Sequence, residues 1–298
     1  MQFRTSQNSI GIGWMVVAGL NFVVVTAIVK HVGSGVPPAQ AAFLRYVLGL
    51  VFLLPMIRPI RNAGLNRKLM ILLSWRSAAH AGGVILWFYA MTKISMTEVT
   101  AMNYLMPVYV TIGAAAFLGE KLAYRRVLAV LAALVGAFMI LRPGFREISP
   151  GHIAMLGTAV FFAVSFLLAK RLTDDLAAPV IVGMLSITVP IALIPLAAAD
   201  WISPSWSQLF WLFLVAAFAT AGHYTMTLAF HHAPVSTTQP AIFLQLVWAA
   251  LLGFFVFGEA IEFWVLAGGT VIIASVCFIA WREAMPANRA RRTLLDSD

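Results

Sequence analysis

The sequence predicts an all-α integral membrane protein with ten transmembrane helices in two inverted five-helix repeats. Three observations carry that prediction. Of 298 residues, 61% are apolar or aromatic and only 10% are charged. A soluble domain has about 25% charged residues, so this chain has too few to coat a globule of its size. Ten apolar runs of membrane-crossing length follow one another with short breaks. A stretch at the end of the fourth run recurs at the end of the ninth. A mean hydropathy of +0.91 excludes disorder, which needs low hydrophobicity and high charge.

About 20 apolar residues cross a hydrocarbon core about 30 Å thick. The first span, 11–30, follows Arg4 and is long enough to cross. No small-residue cleavage site leads into a polar mature domain, so it reads as a span rather than a cleaved signal. The second, 38–57, opens behind Gly33-Ser34-Gly35-Val36-Pro37-Pro38 and closes at Arg58-Pro59. The third is 69–91 and the fourth 98–118. The fifth, 124–141, stops at Arg142-Pro143-Gly144, and the sixth, 151–170, starts behind Ser149-Pro150-Gly151. The seventh is 179–198, and Ser203-Pro204-Ser205 separates it from the eighth, 208–230. The ninth is 236–257 and the tenth 263–281. Proline removes a backbone donor and glycine tolerates turn geometry, so these clusters punctuate the spans. No loop is long enough for a soluble domain.

Basic residues orient the spans. With a cytoplasmic N-terminus, 15 Lys and Arg fall on the inner side, from Arg4 and Arg58 to Arg291 and Arg292. Four fall outside, Lys30, Lys93, Arg142 and Arg146, and Arg45 is left within a span. Cytoplasmic loops carry such an excess, so the expected location is the cell inner membrane with both termini cytoplasmic. The formal charge of +9 then needs no nucleic acid: the basic tail serves as a membrane-surface clamp. The one cysteine, Cys277, excludes an intramolecular disulfide and a cysteine-based metal site. No ATP-binding loop, His-Glu-x-x-His or Gly-x-Ser-x-Gly is present. The chain is expected not to be an enzyme, to hold no cofactor, and to draw energy from a gradient or a partner.

A slide of 139 residues lays Phe117-Leu118-Gly119-Glu120 on Val256-Phe257-Gly258-Glu259, Gly83 on Gly222 and Ala90 on Ala229. A slide of 140 lays Lys30 on Lys170, and one of 141 lays Pro38 on Pro179. Residues 1–145 therefore form the first repeat, spans 1 to 5. Residues 146–298 form the second, spans 6 to 10 with a short basic cytoplasmic tail. Five is odd, so the halves insert in opposite orientation. Two like halves so placed can exchange conformations and open a central site to either side, as in secondary transporters. The plainer alternative is a duplication kept for packing.

Several segments together resemble the drug/metabolite transporter superfamily, in its EamA-type branch. They are Phe43-Leu44-Arg45-Tyr46, Trp75-Arg76-Ser77, Trp87-Phe88-Tyr89-Ala90-Met91 and Ala101-Met102-Asn103-Tyr104-Leu105-Met106-Pro107-Val108. Phe117-Leu118-Gly119-Glu120-Lys121, running on to Leu141-Arg142-Pro143-Gly144, completes them. The resemblance covers nearly the whole chain and implies the ten-span, two-repeat fold. It implies a small metabolite as cargo, since members move amino acids, S-adenosylmethionine, riboflavin, metallophores and nucleotide sugars. The second half departs from the pattern: Ser186 falls where the first has Arg45, and Leu246 where it has Pro107.

Ionisable groups inside a span are costly and face a cavity or a partner. Arg45 is either a guanidinium for a substrate carboxylate or a structural or gating residue. Arg76, His80, Gly83 and Trp87 share one helical face. Arg76 is expected to snorkel to the cytoplasmic edge. His80 suits substrate, a proton or plain packing, and Trp87 suits a cavity wall or an interfacial belt. Thr100, Asn103, Tyr104 and Thr111 lie mostly on one side of the fourth span, where Pro107 is a candidate hinge. Gln245 and Trp248 share a face of the ninth span with Thr238, near Gln239 and Pro240. His223 and Tyr224 sit mid-helix in the eighth. Asn21 and Ser165 are weaker candidates. Glu98, Glu120, Glu259 and Glu262 stand at span ends, as anchors for termini. The adjacent His231-His232 pair reads as a loop or interface pair rather than a metal site.

The expected activity is alternating-access transport of a small metabolite such as an amino acid, with export preferred. Arg45, His80, Trp87, Asn103, Tyr104, His223, Gln245 and Trp248 would bind substrate. S-adenosylmethionine and riboflavin are the alternative cargoes. A lipid or isoprenoid flippase, or a non-transporting membrane subunit, is the alternative of another class. The partners expected are the small-molecule substrate and the lipid bilayer, with pairing into a homodimer left open.

Overall fold

The computed structural model describes residues 2–118, 124–145, 147–172, 175–233, 238 and 241–295, all in helices and their connections apart from one isolated bridge residue, Pro143. Gly119, Glu120, Lys121, Arg146, Gln239 and Pro240, singled out above, lie outside them. Among the described residues, six helices are long and apolar enough to cross a membrane. Shorter apolar helices at Val127–Leu141, Leu244–Phe257 and Phe263–Ile279 fall where the fifth, ninth and tenth spans are predicted.

Helix α1 (Gln2–Val32) ends on Gly33, whose φ of +58° is a left-handed stop that glycine adopts without a Cβ clash. Helix α2 (Pro38–Gly49) starts with proline in its first turn and passes into a 3₁₀ stretch, Leu50–Met56, then into α3 (Ile57–Arg61). The second span is therefore not one continuous α-helix. Pro55 lies inside the 3₁₀ stretch and has no N–H with which to continue an α-helical ladder. Helix α4 (Arg67–Met91) is capped by the Asn66 side chain, which accepts from Leu69 N–H at 2.9 Å.

The fourth span is broken into α5 (Met96–Asn103) and α6 (Met106–Leu118). Ser95 and Glu98 close a capping box at the start of α5. The break falls on Tyr104 and Leu105, and Pro107 occupies the first turn of α6. A proline there removes the N–H that would have bonded to Asn103 C=O, so the irregular residues precede it. Helix α7 (Tyr124–Leu141) ends on Arg142, in a left-handed conformation with φ 44°.

The second half holds α8 (Pro150–Leu172), α9 (Ala178–Ala199), α10 (Trp206–His232), α11 (Leu244–Phe257) and α12 (Phe263–Leu295). Ser205 and Gln208 form a capping box on α10. Helix α11 ends on left-handed Gly258, φ +66°.

Packing follows the repeat. Helix α1 lies on α10 as α8 lies on α4, α4 on α9 as α10 on α2, and α6 on α8 as α11 on α1. Helices α2 and α9, α5 and α11, and α7 and α12 pair with each other. Exchanging the halves maps these contacts onto one another, apart from α5 on α11. The α7–α12 crossing is close because glycines meet: a Cβ on Gly136 would lie 2.6 Å from Gly268 O, and one on Gly268 2.5 Å from Gly136 O. Small residues let membrane helices approach in this way.

Candidate functional site

Arg45 stands mid-way along α2, where that helix meets α4 and α10. Its guanidinium carbon lies 4.8 Å from the centroid of the neighbouring Tyr46 ring. The Tyr46 hydroxyl is 2.8 Å from His80 Nε2 on α4. Ser165 Oγ on α8 is 3.5 Å from His80 Nδ1, and the Phe162 ring packs on His80 at 5.1 Å. Helix α2 packs on both α4 and α10, the helices that carry His80 and His223, so three helices converge near Arg45. His223 lies edge-on to Phe22 at 5.1 Å, yet it is exposed.

A second group lies on α5 and α11. Asn103, Gln245 and Trp248 are half-buried. Gln245 packs on α1, its Cγ 3.3 Å from where a Gly19 Cβ would stand, and it makes no hydrogen bond among the described residues. Asn103 Oδ1 and Trp248 Nε1 have no hydrogen-bond partner among the described residues. An amide or indole left so in an apolar bundle costs free energy until water or a ligand meets it. Trp87 is half-buried on α4, edge-on to Phe88 at 5.5 Å. Two surface grooves, on α4 around Trp75 and between α7 and α12, lie away from all these residues.

Some expectations change. Tyr104 is buried, its ring edge-on to Phe243 at 5.1 Å; it serves a helix contact rather than an open wall. Arg76 does not snorkel. It is 8% exposed and its Nη1 donates to Ile181 C=O on α9 at 2.7 Å, beside a hydrogen bond between the Ser77 and Thr188 hydroxyls. Asn21 is spent on its own helix, donating to Val17 C=O at 2.8 Å. Tyr46 and Phe162 were not singled out in the sequence. Tyr46 carries no signal beyond its place next to Arg45, and Phe162 is one phenylalanine among 21.

Charged groups gather at one end of the bundle. Lys30 Nζ is 2.5 Å from Glu259 Oε1 and donates to Ile94 C=O at 2.9 Å. Glu259 Oε2 accepts from Met96 N–H at 2.9 Å. Glu98 Oε1 lies 3.0 Å from His152 Nε2, both side chains at most 7% exposed. Ser149 N–H donates to His152 Nδ1, which assigns the proton to Nε2 and makes that atom the donor to Glu98. Arg142 pairs with Glu262. The Gln40 amide bonds to both N–H and C=O of Ile202. The Lys30–Glu259, Met96–Glu259, Glu98–His152, Arg142–Glu262 and Gln40–Ile202 contacts each join one half to the other at the same end.

Apolar helices of membrane-crossing length, packed in two like halves, define a multi-pass membrane protein. The chain belongs to the EamA-like transporter family, whose model matches residues 9–142 and again 149–281. It is 28% identical to a riboflavin transporter of Vibrio cholerae, over 93% of this chain and 95% of that one. It is 24% identical to an S-adenosylmethionine uptake transporter of Rickettsia bellii, over 92% and 94%. It is 26% identical to a pseudopaline exporter of Pseudomonas aeruginosa, over 89% and 94%. A solved crystal structure of 17% identity shares the fold, with a TM-score of 0.58 over 92% of this chain and 96% of that chain.

Proposed function

We propose that the protein is a secondary transporter that moves a flat heteroaromatic metabolite through the centre of the bundle by alternating access. Riboflavin is the first candidate and S-adenosylmethionine the second. The observation that carries this reading is the group of accessible or half-buried polar side chains around Arg45, His80, His223 and Gln245, inside an otherwise apolar bundle. Two of the three relatives named above carry fused heteroaromatic rings as cargo. That class takes the place of the amino acid expected from the sequence. Trp87, Asn103 and Trp248 complete the site, and the α5–α6 break before Pro107 is the hinge. Residues 1–145 and 146–298 are the two rocking halves. The basic bias of the loops favours cytoplasmic termini and the inner membrane. All site residues come from one chain, so a second copy is not needed to build the site.

Purified protein in liposomes, tested with labelled riboflavin in both directions, decides the matter. Saturable flux should appear in either direction and be lost in Trp87→Ala and Gln245→Ala with the protein still inserted. Flux no greater than in empty liposomes for both riboflavin and S-adenosylmethionine overturns the reading. Labelled lipid crossing the bilayer in its place would support the flippase alternative.

A further inference from the structure

We propose that the central site selects an aromatic organic anion, with Arg45 as the contact for its carboxylate or phosphate and Tyr46, held by His80, as the residue that positions Arg45. This rests on the transport reading above and adds the charge of the cargo to it.

Two arginines lie inside this bundle, and the structure uses them differently. Arg76 is buried and tied across the α4–α9 contact through Ile181 C=O. It is part of the scaffold. Arg45 is half-exposed and, among the described residues, reaches no backbone carbonyl and no carboxylate. Its one close partner among the described residues is Tyr46, a neutral side chain that orients a guanidinium without supplying the negative partner it lacks. A structural arginine in an apolar setting spends those donors on carbonyls or carboxylates.

The interior offers no internal counter-charge. All 11 Asp and Glu stand at span ends, in loops or in the tail. Those nearest the bundle ends are already engaged, Glu98 with His152, Glu259 with Lys30 and Glu262 with Arg142. A positive group buried without a partner is costly. An entering anion would supply the missing partner, in the two-pronged geometry that suits carboxylate and phosphate. A cationic cargo would meet Arg45 and no carboxylate, which ranks a sulfonium compound behind a neutral or anionic one.

Tyr46 is held for this task. Its hydroxyl is fixed by His80 Nε2, and His80 is fixed in turn by Ser165 and the Phe162 ring. The guanidinium therefore rests on a ring that cannot swing freely. The aromatic faces of Phe162 and Phe22, beside His80 and His223, leave flat surfaces close to the charge.

The test uses detergent-purified full-length protein and matched ligands that differ only in charge. Riboflavin 5′-phosphate is compared with riboflavin, and indole-3-acetate with tryptamine, by equilibrium binding. The anionic member of each pair should bind about tenfold tighter or better, the worth of a charge-assisted hydrogen bond. Arg45→Gln should abolish the preference, the anionic member of each pair losing more affinity than the neutral one. Arg45→Lys should keep part of it. Tyr46→Phe keeps the ring and loses the hydroxyl held by His80, so it should shrink the preference with little change in binding of the neutral flavin. A merely structural role would lower both affinities together. Equal binding within both pairs, or a preference that survives Arg45→Gln, overturns the proposal and leaves riboflavin transport standing. If neither flavin binds, the indole pair decides the charge class alone. If none of the four binds, the proposal falls.

Discussion

Tyr104 and Phe243 occupy equivalent positions in the two halves and touch each other. The 139-residue slide that overlays the Gly-Glu segments also overlays these two residues. Their backbones match, at φ −70°, ψ −3° and φ −70°, ψ −14°. Each marks an interruption, after α5 in one half and before α11 in the other. Their rings meet edge-on at 5.1 Å with an interplanar angle of 87°. The contact joins one half to the other through its own counterpart. The interruption recurs although Leu246 stands where the first half has Pro107.

This contact should be measurable as a coupling. Phe243→Ala and Tyr104→Ala should each destabilise the protein by about 3 kcal/mol. The double variant should lose about 1 kcal/mol less than their sum, the worth of an edge-to-face pair. Unfolding of detergent-purified protein with increasing SDS measures all four states of the cycle. Strict additivity would mean that the rings do not interact.

Glu259 holds two donors at once, the Lys30 ammonium and the Met96 N–H. Glu259→Gln keeps a carbonyl for Met96 and loses only the charge. It should therefore be milder than Glu259→Ala in thermal unfolding. Exchange of the pair, Lys30→Glu with Glu259→Lys, should not restore stability, because lysine cannot accept from Met96. Full recovery in the exchanged protein would show that only charge matters there. Gly253→Ala should mimic the loss of this contact, since its Cβ would lie 2.5 Å from Glu259 Oε2.

The Gly136–Gly268 crossing predicts steric sensitivity on both sides. Alanine at either position would force α7 and α12 apart, at a cost of about 1–3 kcal/mol. The pair together should cost less than twice that, because one separation accommodates both methyl groups. Melting temperatures of the two single variants and the double variant check this. An unchanged melting temperature in both single variants would show that the helices are not in contact there.

His152 donates from Nε2 to buried Glu98. His152→Phe should destabilise by about 3 kcal/mol, the cost of removing one partner from a buried pair. His152→Gln can still offer an N–H and should recover part of the loss. Chemical unfolding of the two variants distinguishes these outcomes, and equal losses would show that the hydrogen bond contributes nothing beyond side-chain volume.

Much of the fold was legible before any coordinates. The predicted third span, 69–91, meets a helix at Arg67–Met91, and the fifth, 124–141, meets Tyr124–Leu141. Such boundaries are legible because apolar run length and Pro or Gly punctuation are local properties. The interrupted second span was not anticipated, although Pro55 stood in view. The candidate site was legible only as a set of residue types inside spans. Arg76 and Arg45 look alike in sequence, and nothing local separates the one bonded to Ile181 from the one left half-exposed.

By itself the sequence determined the apolar spans, their turns, the duplication and the exclusion of every carboxylate from the middle of the bundle. Each is a matter of composition or of order along the chain. The tertiary structure alone decided which distant groups meet: Tyr46 with His80, Arg76 with Ile181, Lys30 with Glu259, Glu98 with His152. The physical reason is that helices apolar on every side carry little record of which neighbour each face will meet. Partner choice rests on small residues such as Gly136 and Gly268 and on a few polar atoms that must be satisfied across the bundle.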